Sequence, residues 1–85
     1  MEDLKNKLSD IAEVLYSGNT TLGMARMGEV IADLAQVGAM ITDENLRNRY
    51  VNDGLGQALS AMETGDGTLL ADVISYELIE VIDTL

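Results

Sequence analysis

Eighty-five residues suffice for one domain, and a chain of that size buries only roughly 60–65% of the surface it exposes when unfolded, so its core is thin. Fifteen acidic residues against five basic ones give a formal charge of −10, which repels phosphate backbones and anionic lipid and argues against nucleic-acid or membrane partners. Cysteine and histidine are both absent, which removes disulfide staples, thiol chemistry, the commonest general base and the commonest metal ligand.

Proline is also absent, so helix limits are read from glycines, caps and the ends of apolar periodicity. A first helix is expected over about Glu2 to Tyr16, where Leu4, Leu8, Ile11, Ala12 and Leu15 fall on one face and Glu2 and Asp3 suit the positive end of the helix dipole. Ser17-Gly18-Asn19-Thr20 stops it. The opening residues lack a basic stretch followed by an apolar one, and no run approaches a membrane span, so a cytoplasmic protein is expected.

The second helix, about Thr21 to Ile41, places Met24, Met27, Ile31, Leu34, Gly38 and Ile41 in alternating steps of three and four, a coiled-coil-like seam. Beside it runs a stripe of small residues, Ala25, Gly28, Ala32, Ala35 and Ala39, leaving only a narrow polar stripe that includes Arg26, Glu29 and Asp33. A helix apolar around most of its circumference belongs at the centre of the fold or partly at an interface between subunits.

Thr42, with a capping hydroxyl, followed by Asp43 and Glu44 marks the start of a third helix, and Asp43 with Arg47 forms a favourable pair at four-residue spacing. Leu46, Tyr50, Val51, Leu55, Ala58, Leu59 and Met62 carry it forward across Gly54 and Gly56, each costing about 1 kcal/mol against alanine. Either the helix breaks there or the glycines admit a crossing helix; a single helix, with room for a kink, is the reading taken. Thr64-Gly65-Asp66-Gly67 is a turn, and a fourth helix from about Thr68 to Asp83 carries Leu70, Ile74, Leu78, Val81, Ile82 and Leu85 on one face. Short connections favour antiparallel neighbours, so the fold class expected is all-α: one domain over residues 1–85, a compact antiparallel bundle of about four helices.

Catalytic and metal-binding patterns fail on inspection. An EF-hand register with Gly67 as the sharp-turn glycine puts Met62 and Val73 where oxygen ligands are required. Gly54 and Gly56 lack the spacing and preceding strand of a dinucleotide loop, and no Gly-Lys-Ser or Gly-Lys-Thr occurs. Ser9 near Lys5 or Lys7 has no partner pattern beyond solvated residues. No catalytic, cofactor-binding or metal-ligating residue is assigned, and no cofactor is expected.

Contact residues are the better candidates. Glu77, at the edge of the apolar face of the fourth helix, needs a partner such as Arg26, Arg47, Arg49 or the Tyr50 hydroxyl. Arg47-Asn48-Arg49-Tyr50 is the one positive patch beyond the first helix. Met24, Met27, Met40 and Met62 either fill the core or offer an adaptable apolar surface, with Ile31 on the same seam as Met24 and Met27, and Met40 on the polar stripe, where exposure would signal a contact. Tyr76 completes the set with Glu77.

The segment Gly65-Asp66-Gly67-Thr68-Leu69-Leu70-Ala71-Asp72-Val73-Ile74-Ser75-Tyr76-Glu77-Leu78 resembles the ending of a family of small uncharacterised helical proteins of Gram-positive bacteria, typified by Leu-Leu-Ala-Asp, two residues and Glu-Tyr-Glu-Leu. The order of upstream elements is similar too, while Ser75 and Glu80 stand where that family tends to have glutamate and proline. The resemblance implies a link with motility or cell-surface processes and supplies no activity or ligand.

The function expected is a non-enzymatic protein-interaction module that self-associates, as a homodimer through its second or fourth helix, or binds another protein. One alternative is an acidic helper for a secreted or motility-related partner, holding a partner helix in an apolar groove. Another is a carboxylate metal-binding protein, which requires acids from different helices to converge.

Overall fold

A computed structural model describes residues 1–85 as four helices joined by short turns, with no strands. The first helix is Glu2–Tyr16 and the second Thr20–Met40. The third covers residues 44–64 and the fourth residues 67–83. All-α architecture is therefore observed.

The three turns share one device. Asn19, Asp43 and Asp66 each accept a hydrogen bond through the side-chain oxygen from the backbone N–H three residues on, those of Leu22, Leu46 and Leu69, satisfying an otherwise unpaired amide of the following helix. Asp43, rather than the hydroxyl of Thr42, caps the third helix. Gly18 and Gly65 take positive φ, +95° and +71°, the left-handed conformation that closes a helix C-terminus at little steric cost to glycine.

These turns fold the helices into an antiparallel ring in which the first packs on the second and fourth, and the third on the fourth. Closure of the ring brings Lys5, on the first helix, 2.7 Å from Asp83 at the end of the fourth, and the Tyr16 hydroxyl donates to Asp72 Oδ1 at 2.6 Å. Leu8, Met27, Leu34, Tyr50, Leu70, Ile74, Leu78 and Val81 are fully enclosed at the centre, the largest apolar payload of the fold. No buried side-chain nitrogen or oxygen lacks a hydrogen-bond partner.

The central element is the fourth helix. Its Leu70, Ala71, Ile74, Leu78 and Val81 are all enclosed between the first and third. The second helix is peripheral, and its buried seam is Gly23, Met27, Val30, Leu34 and Val37, ending at Ile41. This corrects the sequence-based seam: Met24 and Ile31 rotate to the flank, half-buried, and Val30 and Val37 take the core positions. Leu15 fixes the rotation, because its side chain fills the space a Cβ at Gly23 would need.

The third and fourth helices each contain a wider, π-helical stretch, Arg49–Gly56 and Ile74–Leu78, and the two pack on each other. The third helix is continuous through both glycines. At Gly54 a Cβ would lie 2.7 Å from Leu78 Cδ2, so the glycine lets the crossing helix approach. Arg49 spans the crossing: its Nε donates to Glu77 Oε2 at 2.9 Å and its Nη2 to the Tyr76 carbonyl at 3.1 Å.

Candidate interaction surface

Of the four seams in the ring, the one between the second and third helices is the least packed. Two points hold it. The Tyr50 hydroxyl donates to the Leu34 carbonyl at 2.8 Å, and a Cβ at Gly38 would lie 3.4 Å from the Tyr50 ring and 3.8 Å from Val51 Cγ2. Met24, Ile31 and Gly38 recur every seven residues and so lie along one line of the second helix, the line that Gly38 turns towards the third. On the third helix Val51 stands nearest to that line, and Leu55, Leu59 and Met62 follow it at helical spacing.

Apolar side chains beside this seam are left partly open to solvent. Val51 and Leu59 are 43% and 46% exposed; Met24, Ile31, Leu55 and Met62 are half-buried against the core. On the crest of the second helix, opposite the buried seam, stand Ala25, Gly28, Ala32, Ala35 and Ala39, all exposed. Scattered apolar side chains on a surface need no explanation, but a continuous apolar strip marks a contact site.

The sequence-derived contact residues divide by burial. Met27 and Tyr50 are enclosed and act in packing, and burial pushes the Tyr50 hydroxyl far above the ordinary tyrosine range. Met24 and Ile31 are half-buried on the flank of the second helix, beside the seam. Met40 and Tyr76 are 62% and 65% exposed, and Tyr76 lies on the fourth helix, where its carbonyl accepts from Arg49. Glu77 joins Arg49 in an ion pair that leaves both side chains partly exposed. Arg47 pairs with no acid; its Nη1 donates to the Ile41 carbonyl at 3.3 Å, so the expected Asp43–Arg47 pair is replaced by a contact that ties off the end of the second helix. Leu55 and Leu59 were legible only as helix-periodic residues, since their exposure depends on how far the second helix stands off.

The polar surface gathers elsewhere. A cleft of about 160 Å³ between the first and second helices is lined by Lys7, Asp10, Ile11, Arg26, Glu29 and Val30, smaller than a typical small-molecule pocket. Its two cations stand among its two carboxylates, and no three acidic side chains in the chain are grouped to hold a metal ion. Lys5 is held above the ordinary lysine range by its hydrogen bond and charge contact with Asp83, with Glu2 adding to it. The hydrogen bond to Asp72 likewise raises the Tyr16 hydroxyl. No helix is long and apolar enough to cross a membrane.

The chain belongs to the DUF8042 family, described as a domain of unknown function, which matches residues 1–85. No curated protein and no solved structure matches it.

Proposed function

We propose that this member of the DUF8042 family is a non-enzymatic protein-interaction module whose contact surface is the groove between the second and third helices together with the crest of the second. The open seam carries this reading: a ring of four helices that packs three seams well and leaves apolar side chains lining the fourth. Burial of such a strip against a partner is favourable at roughly 25 cal/mol per Å² before the costs of association. A histidine-free chain with no grouped carboxylates offers little for catalysis.

A second reading takes its support from the same lightly packed seam. A partner's amphipathic helix laid along it would meet apolar walls, with acidic residues on the surrounding surface to favour a basic outer face. The resemblance to proteins linked with motility makes a secreted or flagellar partner the natural class, with the chain as its acidic helper in the cytoplasm.

Both readings are tested by a photo-crosslinking amino acid placed at Ile31 or at Leu59, with Asn6 on the first helix as control, in cells that express the full chain. Adducts of defined mass at Ile31 and Leu59 but not at Asn6 are expected. Equal labelling at all three positions, or none, rules the surface out.

A further inference from the structure

We infer that Tyr16, Asp72 and Tyr76 form a second contact site, on the first and fourth helices and apart from the seam between the second and third, that takes an arginine side chain presented by a partner protein. It stands independently of the reading given to that seam.

An uncompensated charge is the first argument. The fourth helix carries no lysine or arginine, and its acids are Asp72, Glu77, Glu80 and Asp83. Neighbouring helices supply a cation to two of them, Arg49 to Glu77 and Lys5 to Asp83. Asp72 receives only the neutral Tyr16 hydroxyl, on Oδ1, although it is half-buried where Glu80 is exposed, and withdrawal from water makes a carboxylate without a partner charge costly. Tyr16 is the one side chain that bonds to it, which leaves Oδ2 free to accept. The last turn of the first helix, the negative end of its dipole, holds no base either. The remaining cations face elsewhere: Lys7 and Arg26 line the cleft between the first and second helices, and Arg47 bonds to the Ile41 carbonyl.

Aromatic placement is the second argument. Of the three tyrosines in the chain, the two that are more than half exposed flank this carboxylate. Tyr16 reaches Asp72 from the first helix at 2.6 Å, and Tyr76 stands one turn beyond Asp72 on the fourth. The Tyr16 hydroxyl is raised first by its bond to Asp72, and Tyr76 adds a smaller upward push, being close enough for a charge contact. A carboxylate held by a hydroxyl and flanked by phenol rings suits a guanidinium, which bonds to carboxylate oxygens through its edge and stacks on aromatic rings through its face. An ammonium is more strongly hydrated and has no plane to stack, so lysine fits less well.

The third argument concerns the carrier of the arginine. A net charge of −10 disfavours anionic ligands and draws basic segments to the surface, but attraction of that kind is diffuse and is screened by salt. Tyr16, Asp72 and Tyr76 give such a segment one place to register. Both rings are exposed, so the site is shallow and a free amino acid is held weakly, whereas a peptide chain adds neighbouring contacts at high effective concentration. Glu80, a further turn along the fourth helix, is exposed and outside the ion pairs, and it takes a second basic residue of the same segment.

Fluorescence anisotropy of a labelled arginine–serine repeat peptide with the unaltered chain, at about 0.15 M NaCl, reads the site, with lysine–serine and citrulline–serine peptides for comparison. The arginine peptide is expected to bind at least about threefold more tightly than the lysine peptide, and the neutral citrulline peptide not to bind. Tyr76→Leu and Tyr16→Phe leave the net charge unchanged and are each expected to weaken the arginine peptide by about threefold or more, and Asp72→Asn by about tenfold. Glu63→Gln, at an exposed acid of the third helix, is expected to weaken it by less than about twofold, and all four variants to keep their helicity by circular dichroism. Affinity that follows net charge alone, with Asp72→Asn equal to Glu63→Gln and both tyrosine variants like the unaltered chain, overturns the inference. So does equal binding of the lysine and arginine peptides, or no binding of either. The crosslinks at Ile31 and Leu59 report on the other surface and do not depend on these results.

Discussion

The second and fourth helices are both dominated by apolar side chains, yet their surroundings differ. The fourth is enclosed between the first and third helices, whereas the second packs on the first, touches the third near Tyr50, and turns a face of alanine and glycine to solvent. What separates them is side-chain size. Leu70, Ile74, Leu78 and Val81 give the fourth helix a large apolar area to remove from water, while much of the apolar character of the second comes from residues with one methyl group or none. Burying a leucine is worth roughly 2 kcal/mol and burying an alanine far less, so the fourth helix takes the centre and the second is left at the edge with area to spare.

The most severe way to break this contrast is to thin the central helix. Leu78→Ala removes a fully buried side chain that also packs over Gly54, and urea denaturation is expected to show a loss of about 2–5 kcal/mol. Next come two glycine replacements that should act in opposite directions. Gly54→Ala pushes a methyl group into Leu78 and is expected to cost about 1–3 kcal/mol. Gly28→Ala, measured where the chain is monomeric, has open space around it and is expected to stabilise the fold by about 0.5–1 kcal/mol. Equal effects at the two positions would mean that the second helix is as enclosed as the third.

The smallest expected effect sharpens the comparison at the seam. Tyr50→Phe removes the hydroxyl that donates to the Leu34 carbonyl and is expected to cost about 1 kcal/mol. Burial raises the pKa of that hydroxyl above its ordinary value of 10.0. The stability linked to it is therefore fully present below about pH 10 and falls as the pH rises further, where the unfolded chain ionises first. Denaturation followed from pH 9 to pH 11 should show this alkaline decline in the unaltered chain and a shallower one in the variant.

Much of the fold was legible because helix starts and stops are local. The asparagine and aspartate caps, the positive-φ glycines and the periodicity of Leu8, Ile11 and Leu15 act over three or four residues, and all lie in the sequence. The rotation of the second helix was not legible. Nearly every position on it is apolar, so a seam through Met24 and Ile31 and one through Val30 and Val37 fit three-and-four spacing equally well, and the choice falls to Leu15 filling the space beside Gly23. The π-helical stretches were hidden for a similar reason, since they lie where Gly54, Leu78 and Arg49 meet across two helices. Of the candidate site, Met24 and Ile31 were recognised from residue type, while Val51, Leu55 and Leu59 became visible only once the open seam was seen. The central place of the fourth helix followed from area, which residue class alone does not weigh.

One consequence of the Tyr50 clamp is optical. The chain has no tryptophan and three tyrosines, of which Tyr16 and Tyr76 are more than half exposed and Tyr50 is fully enclosed. The ultraviolet absorption and emission of an immobilised, hydrogen-bonded phenol differ from those of a hydrated one, so the part of the spectrum that changes when the groove opens or fills comes from a ring at that one seam. The protein thus carries its own chromophore at the joint between its second and third helices, and widening of that joint can be followed in real time without attaching a dye.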